Sequence, residues 1–381
     1  MFVFACVAAL LIAEAALRLS GKALPASFGM ADPELGWSWR PGVEGWSLGE
    51  APIYVRINSD GMRDREHAIA KPAGTRRIAI LGDSYADALN VEIDQTFWAE
   101  LQRQVARCRP LTRVEILNFG VSGYGTGQEL LQLKHRAWKY DPDVVVLAFY
   151  PGNDVFNNHR ELNPSLEPEQ SPYFHLVDGK LVLDDSHRKL QRLQPNAIRS
   201  QGIRAALINH VRLLQLVYQV RNNLRMRAAQ KTIPVASIEE KMLLPPSDSK
   251  VGEAWAVTEA LIAEMHREVQ AHSAEFWTVV VSMRPQVHPD LGVREALARR
   301  LGVSDLDYSE RRIVALADRE RFKVFPLSHP MAEYASRHKV YLNGGGAVAL
   351  GDGHWNVAGH RLAGELIGAR LCAESQKLGR P

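Results

Sequence analysis

Arg77-Ile78-Ala79-Ile80-Leu81-Gly82-Asp83-Ser84-Tyr85 is the stretch on which the reading of this chain turns. Its apolar run, 78–81, has no polar alternation and stops on a glycine. That is the pattern of a short strand buried on both faces of a parallel sheet. Working outward, 95–105 has helical period, 114–119 reads as a strand, 127–138 as a helix and 144–149 as the most apolar strand of the chain. Further on, a helix over 253–272 leads into a strand at 277–281. A strand at 323–325 and a closing helix over 356–372 follow. Strands alternating with helices predict an α/β fold: a three-layer α/β/α sandwich around a mainly parallel five-stranded sheet.

Three segments lie outside this alternation. Residues 1–26 open with the apolar run Phe2–Leu19, uninterrupted only as far as Glu14. That is shorter than the roughly 20 residues of a full span and nearer a signal-peptide core. The segment is read as a signal peptide or a membrane anchor, which places the protein outside the cytoplasm, periplasmic or secreted. The alternative is a helix buried in the domain. Residues 28–76, rich in Gly, Pro and Trp, form a small β or irregular preface, with a strand at 53–57 ending in Asn58-Ser59-Asp60-Gly61. The main domain, 77–373, is interrupted by a basic, mainly helical insert over 157–250, which opens with a Pro- and Glu-rich loop and a hairpin over 174–183 turning at Asp178-Gly179. From Arg188 to Lys231 there are ten Lys and Arg and no Asp or Glu. Arg221, Arg225 and Arg227 are the candidates for contact with an anionic membrane or an acidic polysaccharide.

The 381 residues are 46% hydrophobic and 23% charged, which excludes a disordered chain. Lys and Arg number 46 against 43 Asp and Glu, and a net charge of +3 gives no reason to expect nucleic acid. The cysteines, Cys6, Cys108 and Cys372, form no C-x-x-C pair. A structural zinc site and a disulfide-rich scaffold are thereby excluded. At most Cys108 pairs with Cys372, which the sequence leaves open.

In open parallel sheets ligands bind beyond the carboxyl ends of the strands. The predicted strands are followed there by Gly82-Asp83-Ser84, by Asn118-Phe119-Gly120-Val121-Ser122-Gly123, and by Gly152-Asn153-Asp154. Asp352-Gly353-His354-Trp355 precedes the closing helix. A nucleophile, a glycine turn, an amide and an Asp/His pair on one rim are the parts of acyl transfer. No metal or organic cofactor is called for.

The four blocks, in this order, resemble the SGNH branch of the GDSL esterase/lipase family, the SGNH hydrolases, in particular membrane-associated bacterial members. The resemblance covers about 77–156 and 253–372. It implies an SGNH-hydrolase-like, flavodoxin-like fold and a serine ester hydrolase working through an acyl-enzyme on an acetyl or other short acyl ester of a saccharide or lipid. Ser84 would be the nucleophile, His354 the base and Asp352 its orienting acid. The oxyanion donors would be the Ser84 N–H, the Gly123 N–H (Gly120 as fallback) and the Asn153 amide. Asp352 stands two residues before His354, where the family usually has three. This spacing is similar to that of polysaccharide O-acetyltransferase relatives, which keeps transfer to a second alcohol as an alternative. A catalytically silent envelope glycan-binding or assembly factor is the alternative from another class.

Overall fold

The computed structural model describes residues 1–165, 167–193, 195–229, 235–375 and 378; for 193, 195–201, 226–229 and 235–237 it describes the backbone alone. The chain begins with helix α1 (Phe2–Leu19). Two hairpins follow, β1 (Gly29–Asp32) with β2 (Gly36–Trp39) and β3 (Glu44–Leu48) with β4 (Pro52–Arg56). Then come β5 (Thr75–Gly82), α2 (Ser84–Asp87), α3 (Phe97–Cys108), β6 (Arg113–Asn118), α4 (Thr126–His135), β7 (Val144–Phe149) and α5 (Asp154–Asn157). The insert carries the hairpin β8 (Tyr173–Val177) and β9 (Lys180–Asp184). Its helices are α6 (Ser186–Leu193), α7 (Pro195–His210), α8 (Arg212–Ala229) and α9 (Val235–Met242). The chain returns to the domain with α10 (Ser249–Ala271), β10 (Glu275–Val280), α11 (Leu291–Leu301), α12 (Tyr308–Glu320), β11 (Lys323–Pro326), α13 (Ser328–His338) and α14 (Val357–Glu374).

Five strands, all parallel, make the central sheet in the order β11-β10-β7-β5-β6. Every residue of β7 is buried, as a strand covered by helices on both faces must be. Ile80 of β5 stands opposite Val146 of β7, and Gly82 opposite Ala148. From β5 the chain runs outward to β6, and from β7 it runs the other way to β10. The carboxyl ends of β5 and β7 therefore flank a topological switch point, where a crevice opens. Ser84 follows the first of these strands and Asn153 the second.

The preface closes over its own small apolar cluster of Ala26, Phe28, Ile53, Val55 and Ile57, apart from the main core. Leu24 is buried too, and the Ala26 N–H donates to the Trp46 carbonyl at 2.9 Å. Ala26, the last residue of the segment read as a leader, is thus packed into the preface cluster, whereas Phe2–Leu19 lies outside it. That helix has no buried residue and is long and apolar enough to cross a membrane. The insert's hairpin turns through Asp178 and Gly179, both with positive φ, as a two-residue hairpin turn of the primed type requires. Three helices, α11 to α13, lie where the sequence reading named no element.

Candidate active site

Ser84 sits at the first position of α2, directly after β5. Asp83 caps that helix by accepting the Tyr85 N–H at 2.9 Å. A serine there is raised on a tight strand-to-helix turn with its own N–H free of the helix ladder. The segments carrying the other polar groups are tied to this turn. Asp87, at the end of α2, accepts both the N–H and the hydroxyl of Ser122, at 3.1 and 2.5 Å. The Asn157 amide in α5 donates to the carbonyls of Gly123 and Tyr124, at 3.2 and 3.4 Å. The loop after β6 is therefore held between α2 and α5. The Asn153 side chain stands beside the Asp83 carboxylate, next to the nucleophile, and favours its charged form against burial. Its amide carries two N–H donors that an oxyanion can accept from. Gly120, the fallback glycine, is packed away: a Cβ there would stand 2.4 Å from that of Ala86. Its N–H donates to the Asn118 side chain at 3.1 Å. Gly123 is exposed, and among the described residues its N–H has no partner.

His354 comes from the loop before α14, and its Nε2 lies 2.7 Å from Ser84 Oγ. Tyr85 and Trp355 wall the ring: Tyr85 stands 5.0 Å from the imidazole, centroid to centroid, and 5.0 Å from the indole, which is fixed by its Nε1–H donating to Ser282. On Nδ1 the structure corrects the sequence reading. The group there is Glu50, with Oε1 at 2.7 Å, and not Asp352. The same carboxylate accepts the His354 backbone N–H at 2.9 and 3.1 Å. Asp352 points outward, 64% exposed, with Arg284 Nη1 3.4 Å away. The reason is local. Gly351 and Gly353 both have positive φ and turn the chain sharply around Asp352. A Cβ on Gly353 would lie 2.6 Å from the Glu50 carboxylate, so the missing side chain makes Glu50's place. Glu50 lies between β3 and β4 in the preface, 304 residues from His354. No period or motif marks it in the sequence.

With Glu50 on Nδ1 that nitrogen carries the proton, and Nε2 is left to accept from the serine hydroxyl. Burial by itself would lower the His354 pKa. The hydrogen bond and charge of Glu50, with the charge of Asp83, outweigh it and hold the imidazole above the ordinary histidine value. Burial likewise works against ionised Glu50, but the hydrogen bonds and charge of His354 and the charge of Arg284 hold its carboxyl below the usual range. Both shifts favour the imidazolium–carboxylate pair that forms when His354 takes a proton.

No protein-family model and no curated protein matches the chain. The structure is similar to solved esterases. One is a mutant of Axe2, an acetylxylan esterase from Geobacillus stearothermophilus, with 13% identity, 80% of this chain and 95% of that one covered, and a TM-score of 0.40. Another is the acetyl xylan esterase AlAXEase, at 12% identity, with 77% and 98% covered and a TM-score of 0.39. A lipase/acylhydrolase from Enterococcus faecalis aligns at 12% identity, with 78% and 96% covered and a TM-score of 0.37. Likeness at this level does not reach activity, which has to follow from the site's own atoms.

Proposed function

We propose that the chain is an SGNH-type serine ester hydrolase. The observation that carries this reading is the unbroken Ser84 Oγ–His354 Nε2 and His354 Nδ1–Glu50 pair of contacts, each 2.7 Å, at the crevice between β5 and β7. The four sequence blocks support it independently.

Ser84 attacks the ester carbonyl while His354 takes its proton. His354 then returns that proton to the departing alcohol. Glu50 orients the ring and balances its positive charge. The N–H groups of Ser84 and Gly123, with the Asn153 side-chain amide, receive the oxyanion. Water resolves the acyl-enzyme by the same general-base step. The favoured substrate is an acetyl or other short acyl ester of a saccharide or lipid met outside the cytoplasm.

The test is labelling of the purified protein with a fluorophosphonate, together with hydrolysis of p-nitrophenyl acetate. Label on Ser84 and loss of turnover in Ser84→Ala are expected. Label on another serine, or activity that survives Ser84→Ala, overturns the reading. Turnover that requires an added alcohol acceptor assigns the same centre to transfer instead.

A further inference from the structure

Helix α8 presents an unusual surface. Leu214, Val217, Val220 and Leu224 are 38%, 63%, 52% and 61% exposed, although each is a large apolar side chain. At about 100° per residue these four, with exposed Arg221 and Arg225, fall on one face of the helix. The opposite face, with buried Gln215, turns toward the protein. Ile203 and Leu207 on the neighbouring α7 are exposed as well, at 62% and 51%. An apolar stripe of this kind in water exposes area that folding would otherwise bury.

What covers it is indicated by the contact of α8 with α1. Glu14 of α1 accepts the backbone N–H groups of Arg212 and Leu213, at 3.1 and 2.9 Å, and so caps the first turn of α8. Arg18, bonded to Glu14 at 2.8 Å, donates to the His210 carbonyl at the end of α7, at 2.6 Å. The one helix among the described residues that is long and apolar enough to cross a membrane is thus fastened, at its polar end, to the start of the exposed stripe. The stripe carries only positive charge, and 188–231 holds no acidic residue. A helix with an apolar face flanked by arginines whose stems can reach upward is the form that rests in a lipid interface.

We propose that α8 lies on an anionic lipid bilayer. Leu214, Val217, Val220 and Leu224 enter the acyl boundary, Arg221 and Arg225 stand at the level of the phosphates, and α1 continues into the same bilayer. Arg227 was grouped with them in the sequence, but its side chain lies outside the described residues. This placement is independent of the reaction at Ser84.

The experiment uses the full chain with Cys6→Ser, reconstituted in vesicles of phosphatidylcholine and phosphatidylglycerol. Val217→Cys, Leu224→Cys and, as a control on the exposed side of α12, Asp318→Cys each carry an environment-sensitive fluorophore. Brominated lipid should quench the probes at 217 and 224 and leave the probe at 318 bright. Arg221→Glu with Arg225→Glu should reduce that quenching. Equal brightness at all three positions overturns the proposal. Shielding at 217 and 224 that follows protein concentration and ignores brominated lipid assigns the face to a second copy, and also overturns it. Quenching that survives the double reversal overturns the part given to the arginines. Thermal melting of each variant separates these outcomes from misfolding.

Discussion

At the scale of single residues, the substitution that separates the two candidate acids is small. Glu50→Gln keeps the shape beside His354 and removes the charge. An amide at Nδ1 cannot stabilise the imidazolium, and it can favour the wrong tautomer, so kcat is expected to fall by about 10²–10⁴-fold. Asp352→Asn, changing an exposed group 3.4 Å from Arg284, should leave kcat near that of the parent. The pH profile gives a second readout. In the proposed mechanism neutral His354 is the active form, so kcat/KM should fall as pH drops through its pKa. Glu50 holds that pKa above the ordinary value, so the acidic limb of the parent should lie above about 6.5. In Glu50→Gln the limb should move to lower pH; an unmoved limb would remove Glu50 from the mechanism. Asn153→Ala should cost about 10²–10³-fold in kcat with little change in KM, measured on the same ester, because the oxyanion forms only in the transition state. The sequence announced Ser84, Asn153 and His354 because each follows a strand or precedes a helix within a compact block. Asp352 was the natural acid by proximity. Its replacement by Glu50 was not legible, since that contact depends on how a preface hairpin docks across the crevice, and no local pattern encodes docking.

Between elements, a nearly buried ionic tie joins the insert to the domain. Arg284, which follows β10, meets Glu239 of α9 through Nε and Nη2 at 2.8–3.0 Å, and the Glu239 side chain is only 3% exposed. Tyr150, after β7, also donates to that carboxylate. The tie stands close enough to the crevice for the Arg284 charge to act on both His354 and Glu50. Removing one partner leaves a buried charge uncompensated. Arg284→Met is therefore expected to lower stability by about 3–5 kcal/mol in urea unfolding. Arg284→Met combined with Glu239→Gln should recover much of the loss; equal destabilisation would show that packing around Arg284, not the stranded carboxylate, sets the cost. The central strands β5, β7 and β10 were readable because each is an apolar run that is almost wholly buried, whereas the half-buried β11 carries only a short apolar signal. Helix α11 was not, because Ala298 is its one buried residue and so little apolar period exists to read. The insert's hairpin was readable from Asp178-Gly179 alone.

Across the whole molecule, one covalent link decides how the closing helix is held. Cys108 at the end of α3 and Cys372 near the end of α14 form a disulfide, with Cα atoms 6.2 Å apart across a sequence separation of 264. The sequence left this pairing open, since two cysteines so far apart carry no spacing signal. The structure joins them because α14 packs along α3, with Gly364 and Gly368 set against Glu100 and Gln104. Disulfides persist in oxidising compartments, so this pair agrees with the proposal of a substrate met outside the cytoplasm. Closing so long a loop restricts the unfolded chain, and the chain-entropy view gives up to about 5 kcal/mol, with about 2–4 typical of measured cases. Cys108→Ala with Cys372→Ala is expected to lower the urea midpoint accordingly. The m-value should rise, because the uncrosslinked unfolded chain exposes more surface. Hydrolysis of a small ester well below the new midpoint should be unchanged, since neither cysteine touches Ser84, His354 or Glu50. A midpoint that does not move means that the α3–α14 packing holds the helix by itself and the disulfide adds no net stability. A fall in activity under those native conditions means that the position of α14 is transmitted to His354, three residues before the helix begins.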